Sequence, residues 1–327
     1  MKKFSFLAVM VFMLFGVAGI GQAKDFATAL EITLSEIPDG GDIAAMGNPA
    51  VRRDFSTKNP AVTGASIVSK NVVVCANYGL FAFKNGFDMS LYSVSAMTKL
   101  PLGITRLTVT EGNSTTGGID EIGDIKLNGL TSIELQYGLP LSDDLYGGIV
   151  YTHNRSKLTI DTMFFDETVG VPFDVELASE TRSHEIGVGL LYRLGEKVDL
   201  GFFYNRASSR SRDYVNDIKE GTARSATDQL RAGFSAQLAL GTVLAAEYRH
   251  FWFEEERDAQ YFVGIEQYLN KSVALYGGYA NGGATAGLGI YLKNGGLNLA
   301  YMHRPFRSTE DFLGEAKVFE ALLFWNF

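Results

Sequence analysis

From about residue 69 to its end, this chain alternates apolar and polar side chains in short runs separated by turn residues. In 131–139, Ile133, Leu135, Tyr137 and Leu139 fall on one face and Ser132, Glu134 and Gln136 on the other. In 229–238, Leu230, Ala232, Phe234, Ala236 and Leu238 oppose Gln229, Arg231, Gly233, Ser235 and Gln237. A helix would spread such residues around its circumference, whereas a strand sorts them onto two faces. Fourteen segments carry the pattern, near 70–83, 89–98, 102–111, 129–139, 145–159, 180–193, 197–209, 226–239, 242–253, 257–269, 272–280, 284–292, 296–305 and 316–327. One set of connections is tight, as at Pro101-Leu102, Ser142-Asp143-Asp144, Gly195-Glu196-Lys197 and Lys293-Asn294-Gly295. The other set includes polar loops at 112–128, 160–179, 210–225 and 306–315, besides short hairpins near Asn85-Gly86, Glu254–Arg257 and Asn281-Gly282. Tight turns on one side and longer loops on the other predict an all-β fold, an antiparallel transmembrane β-barrel of about 14 strands.

Periodicity alone does not say which face meets what. A soluble sandwich buries its apolar face, whereas a membrane barrel turns that face to lipid and its polar face to the lumen. Three further features favour the membrane. Aromatic residues crowd strand ends, as at Phe202-Phe203-Tyr204 and Phe251-Trp252-Phe253, which suits interfacial girdles. The last segment alternates through Phe319, Ala321, Leu323, Trp325 and Phe327 to a terminal aromatic. That ending resembles the C-terminal signal by which Gram-negative outer-membrane barrels engage their assembly machinery, so Leu323, Trp325 and Phe327 are its expected carriers. The chain also begins as an exported one: Met1-Lys2-Lys3, then apolar Phe4 to Ile20, then Gly21-Gln22-Ala23. Residues 1–23 read as a cleaved signal peptide, an uncleaved anchor being the alternative. After Ala23 no apolar run approaches a helical span.

Composition removes other classes. With 29 Lys+Arg against 37 Asp+Glu and a net charge of −8, the chain lacks the basic surface that nucleic acid requires. A hydrophobic content of 46% with 23 Phe and 15 Tyr excludes a disordered chain. The single Cys75 excludes a disulfide framework, a Cys-rich zinc site and a haem-attachment motif.

Residues 24–68 do not follow the strand pattern. They contain Ala44-Ala45-Met46-Gly47-Asn48-Pro49-Ala50, then Arg52-Arg53-Asp54-Phe55-Ser56, and Asn59-Pro60-Ala61 just before the first strand. A small-residue stretch, an Asp followed by Ser, and Asn-Pro-Ala before strand one resemble the start of FadL-like outer-membrane proteins. That superfamily includes fatty-acid and aromatic-hydrocarbon transporters and secretion-associated relatives, and fourteen strands is its barrel size. The resemblance implies that residues 24–68 form a small plug joined to the barrel of 69–327 through Asn59, Pro60 and Ala61. A plain periplasmic tail is the alternative. Asp54 and Asn59 stand closer together than the family's corresponding pair, and the chain is short for a transporter with large loops.

The polar alternate positions define a candidate lumen: Arg106, Glu134, Gln136, Asp199, Gln229, Arg231, Glu247, Arg249, Glu266 and Arg304, with Glu185, Asn205, Gln237 and Asn298. Both charge signs appear, so no ion-selecting ring can be read. These groups form either a polar conduit or a set of cross-strand pairs that fill the interior, since buried charges need partners. His153, His184, His250 and His303 are scattered, and Glu185 next to His184 points to the opposite face. Neither a nucleophile nor a metal-ligand cluster can be placed beside them, so no enzyme, cofactor or metal is expected. Gly277-Gly278 and Gly282-Gly283 could bend the wall or simply pack closely. Met163-Phe164-Phe165 is apolar enough to capture a ligand or to cap the rim.

The expected function is passage of a small hydrophobic molecule through a plugged lumen in the outer membrane of a Gram-negative bacterium. An open diffusion porin is one alternative. The other is a barrel scaffold for a partner protein such as a cytochrome or a secretion component. Expected partners are outer-membrane lipid and the barrel-assembly machinery.

Overall fold

The computed structural model describes residues 58–65, 72–119, 123–166, 171–238, 241–253, 256–280, 282–306 and 314–327. The expected signal peptide of residues 1–23 and the N-terminal segment up to residue 57 lie outside them. One short helix, α1 (Pro60–Ala65), precedes the sheet. Fifteen strands follow: β1 (Val72–Phe83), β2 (Asp88–Leu100), β3 (Gly103–Ser114), β4 (Gly117–Ile119), β5 (Gly123–Pro140), β6 (Leu145–Asp166), β7 (Val171–Leu194), β8 (Val198–Val215), β9 (Ile218–Gln237), β10 (Thr242–Phe253), β11 (Glu256–Asn270), β12 (Val273–Ala280), β13 (Gly283–Tyr291), β14 (Gly295–His303) and β15 (Ala316–Asn326).

Every pairing is antiparallel, and the sheet closes where β1 meets β15 and β3 meets β5. The three-residue β4 only decorates the β5 edge, so the closed barrel has fourteen strands. Closure leaves no edge for a second chain to extend. Both termini of the sheet lie at one end, where the Phe327 N–H donates to the Val72 carbonyl at 2.9 Å. The tight turns share this "turn end"; the remaining connections form the opposite "loop end".

Burial sorts the faces as a lipid-facing barrel requires. Exposed apolar residues point outward, among them Tyr92, Val94, Leu107, Val109, Ile133, Leu135, Val188 and Leu190. Buried inward residues include Arg106, Gln136, Gln229, Arg231, Glu247 and Arg249. β-Branched and aromatic side chains on the outer positions are also those that best fit a pleated strand. No helix among the described residues is long and apolar enough to cross a membrane.

Three of the four segments expected to be long loops, 112–128, 160–179 and 210–225, are largely strand among their described residues. β6 and β7 run for 22 and 24 residues, and β8 and β9 for 18 and 20. By contrast β12, β13 and β14 have only 8, 9 and 9. One wall of the barrel therefore rises far above the other at the loop end. The expected 210–225 loop reduces to a turn at Asn216-Asp217, whose φ angles of 47° and 64° are both left-handed. That is the two-residue turn that matches strand twist, and Asn and Asp tolerate it. The reason alternation failed to reveal these extensions is chemical. In Ser208-Ser209-Arg210-Ser211-Arg212-Asp213 both faces are polar, while ladder hydrogen bonds continue regardless.

Candidate functional site

The interior is built around α1. Asn59 caps it: its Oδ1 accepts from the Ala61 N–H at 3.0 Å, and Pro60 occupies the first helical position, where no N–H is needed. Asn59 Nδ2 donates to the Phe202 carbonyl at 3.4 Å, tying the cap to the wall. Six residues cannot sustain a helix alone, so the wall must hold it. It does so through a row of glycines. Gly138, Gly148 and Gly189 stand directly opposite one another across β5, β6 and β7. A Cβ at Gly138 would lie 2.2 Å from the Pro60 carbonyl oxygen, and one at Gly189 would lie 2.0 Å from Asn59 Oδ1. At Gly148 it would come within 2.6 Å of the Pro60 carbonyl carbon. Gly64 answers from the helix, its missing Cβ falling 2.7 Å from the Leu139 nitrogen. Helix and wall thus meet backbone to backbone, with Ala61, Val62 and Ala65 packed beside Leu191.

From this contact a polar chain leads into the lumen. Thr63 Oγ1 donates to Gln136 Oε1 at 2.6 Å, and Gln136 Nε2 donates to Glu134 Oε1 at 2.9 Å. Glu134 also receives the Arg106 guanidinium at 2.8 Å. On the opposite wall Arg249 donates to Glu247 at 2.6 Å and lies 4.0 Å from the centre of the Phe262 ring. Arg231 donates to Gln229 at 3.0 Å and sits over Phe203.

Between the walls is a cavity of about 220 Å³. Its lining is mixed: hydroxyl and amide residues, including Ser93, Thr108, Ser132, Thr152, Asn154, Thr181, Asn205 and Gln229, with the Arg106–Glu134 pair, alternate with the apolar Phe81, Leu91, Leu130, Phe251 and Leu322. Several buried polar atoms on this lining have no hydrogen-bond partner among the described residues: Asn77 Oδ1, Thr108 Oγ1, Asn205 Oδ1 and Gln229 Nε2. Such atoms are costly unless water or a ligand meets them. A buried apolar cluster adjoins it: Phe81, Phe87, Met89, Leu91, Ile125, Leu127 and Phe306 belong to it towards the loop end, Ala245 and Ala274 towards the turn end, and Phe81 and Leu91 also line the cavity.

Of the residues expected to line the lumen, Arg106, Glu134, Gln136, Gln229, Arg231, Glu247, Arg249 and the buried Glu266 face inward. Asp199 also does, lying 4.0 Å from Arg193 near the turn end. Glu185 bonds to Asn205 inside, and His184 faces out. Arg304 is one of two exceptions, Gln237 being the other. Arg304 follows β14 at the loop end in a left-handed conformation and pairs with Glu315 at 3.4 Å, both half exposed, so it belongs to the rim. Gln237 is exposed at the turn end. Leu323, Trp325 and Phe327 point outward on and just beyond β15. Met163 is exposed, and the side chains of Phe164 and Phe165 lie outside the described ones.

Sequence reasoning missed the glycine row and the ring of Ser and Thr. Both were readable in principle, as small residues recurring at inward positions of neighbouring strands, but only once the register aligned them. Among the described residues no group of three or more His, Cys, Asp or Glu side chains is arranged to hold a metal ion.

Fourteen closed strands, an apolar exterior and a capped helix seated on the inner wall define a FadL-like barrel fold. Solved structures of similar fold include the Pseudomonas putida toluene transporter TodX, at 12% identity and a TM-score of 0.61 over 89% of this chain and 99% of that one. The Ralstonia pickettii toluene transporter TbuX matches at 12% identity and a TM-score of 0.64, covering 88% and 97%. A Pseudomonas aeruginosa FadL homologue matches at 10% identity and 0.56, covering 89% and 99%. Identities this low establish the fold and leave ligand choice to the residues. No family model matches the sequence, and no curated protein matches it either.

Proposed function

We propose that this protein is an outer-membrane transport barrel for a small molecule with an apolar body and a polar group, α1 acting as a plug at the turn end. The observation that carries the reading is the mixed lining of the lumen. A buried apolar cluster that reaches the loop end at Phe87 and Phe306 adjoins a cavity of about 220 Å³ rich in hydroxyl and amide residues, and shares Phe81, Leu91 and Leu130 with its lining. An apolar cavity of about 150 Å³ holds a benzene-sized molecule, so one aromatic ring with a substituent fits this space. The fold similarity to toluene transporters supports an apolar body. The unpartnered Asn205 Oδ1 and Gln229 Nε2 support a polar group that can both donate and accept. No chemical step is needed: the molecule partitions into the apolar mouth, exchanges hydrogen bonds in the cavity, and leaves when α1 shifts. Loop end outward and turn end towards the periplasm is the orientation usual for such barrels.

The test is equilibrium binding of p-cresol and toluene to the purified, folded barrel. The expected result is tighter binding of p-cresol, with the preference abolished in Asn205→Leu/Gln229→Leu. Equal binding of the two ligands, or none, would sink the substrate assignment. A polar lining also suits an open diffusion porin; large, salt-proportional conductance by the wild-type protein would favour that function instead.

A further inference from the structure

The tall wall carries an outward feature that transport does not use. Register places Arg155 of β6 opposite Arg182 of β7, Arg182 opposite Arg210 of β8, and Arg210 opposite Arg224 of β9. All four are exposed and face away from the lumen. With strands about 4.8 Å apart, the row spans roughly 15 Å. Like charges directly opposite one another destabilise a sheet. None of the four makes an ion pair or a side-chain hydrogen bond to a described residue. Glu180, the nearest acid, stands one outward row further from the turn end, and its register neighbours Lys157 and Arg212 are both cationic. Asp228 lies on the other side of the row, 4.0 Å from Arg206. A surface cleft of about 360 Å³ is lined by Arg182, Arg210, Arg212 and Arg224 with His184, Ser208 and Ser209, and Glu180 is the one acid on it, four cations to one.

The height of the row identifies what would fill it. From Arg182 towards the turn end, the outward positions of β7 are His184, Ile186, Val188, Leu190 and Tyr192, an exposed apolar stripe below a single His. Ten residues of strand rise about 33 Å, or about 25 Å along the barrel axis at a tilt near 40°, which is the height of the apolar band of such barrels. The arginines therefore stand at the outer edge of that band, level with lipid head groups. His184 stacks with His153 at 4.7 Å and its Nδ1 is 2.7 Å from the Tyr151 hydroxyl, an amphipathic layer suited to this boundary.

We infer that the Arg155–Arg182–Arg210–Arg224 row is a binding site for the phosphates of an outer-leaflet glycolipid of the lipid A type, whose acyl chains lie along the Ile186–Tyr192 stripe. Guanidinium groups engage phosphate through paired, charge-assisted hydrogen bonds, and the bound phosphates remove the repulsion within the row. A free phosphate would use the arginines and ignore the stripe; a lipid uses both. The inference rests on the outer-membrane placement proposed above.

The test uses the full mature chain in phosphatidylcholine nanodiscs, with bisphosphoryl lipid A as probe and retention read by native mass spectrometry. Wild-type protein should retain the lipid, R182A/R210A should lose about tenfold in retention, and R182K/R210K should keep most of it. Lipid A stripped of its phosphates should not be retained, and inorganic phosphate at equal concentration should not displace the intact lipid. Equal retention by wild type and R182A/R210A, or of phosphorylated and dephosphorylated lipid, overturns the inference and leaves the transport reading untouched. Displacement by inorganic phosphate reassigns the row to a free anion and also overturns it. A folded barrel that fails to insert into any bilayer removes the membrane placement, and this inference with it.

Discussion

Glu247 and Arg249 face the lumen two residues apart on β10 and are almost wholly buried, with side-chain exposures of 1% and 0%. Arg231 of β9 is directly opposite Arg249, so two cations share this stretch of the inner face, and Glu247 pairs with Arg249. Removing one member of a buried pair costs roughly 3 kcal/mol or more, because the remaining charge stays desolvated, whereas replacing both by apolar residues is often neutral. Glu247→Leu should therefore lower the barrel's unfolding free energy by about 3 kcal/mol in urea titrations of the lipid-reconstituted protein. Arg249→Leu should cost less than Glu247→Leu, because it also removes the repulsion with Arg231. The double variant should recover most of the loss. Equal, additive losses would mean that lumen water screens the pair. The pairing itself was legible, since opposite charges two residues apart on a strand share a face. Its depth was not, because burial depends on Phe262, which approaches from β11.

At the scale of elements, α1 depends on what its wall lacks. Val at Gly138 would improve the strand's own propensity while placing a Cβ where Pro60's carbonyl oxygen now sits. Gly138→Val should leave the barrel as stable as wild type or more so, yet displace α1. Cys75 reports the displacement: it is the chain's only cysteine, it is buried, and it lines the cavity. Its labelling by a water-soluble maleimide should accelerate several-fold in Gly138→Val. Unchanged labelling in a folded variant would show that α1 does not close the turn end. The sequence marked Asn59-Pro60-Ala61 only as the expected joint between plug and barrel; that these residues are a cap, a first-turn proline and a small residue of a helix emerges from the structure. Fourteen segments of alternation were likewise enough for the barrel, and residues such as Val72–Phe83 and Thr242–Phe253 fell where expected. What stayed hidden follows from register. Neither the glycine row nor the arginine row is a pattern along the chain. Each runs across strands, and a one-residue slip would send its members to the opposite face.

For the molecule as a whole, the transport reading proposed above places two closures in series along the lumen. The outer one is the loop-end part of the apolar cluster, around Phe81, Phe87 and Phe306, where Phe81 stacks against Phe306 with ring centres 5.8 Å apart. At the turn end α1 lies against β5, β6 and β7. Ions need continuous water, and a dry apolar constriction stops them even where a polar cavity lies beyond it. Either closure alone is then sufficient, and opening one should change nothing that an electrode detects. In planar bilayers, wild type, Gly138→Val and Phe81→Ser/Phe306→Ser should each be silent, while the triple variant should give steady steps that rise with salt concentration. Such a dependence on both lesions distinguishes a two-closure conduit from a porin, which conducts unmodified, and from a filled barrel, which stays silent in all four. On the transport reading proposed above, an apolar molecule dissolves into the loop-end cluster without opening it to water, and the hydroxyl and amide groups of the adjoining cavity then meet its polar group.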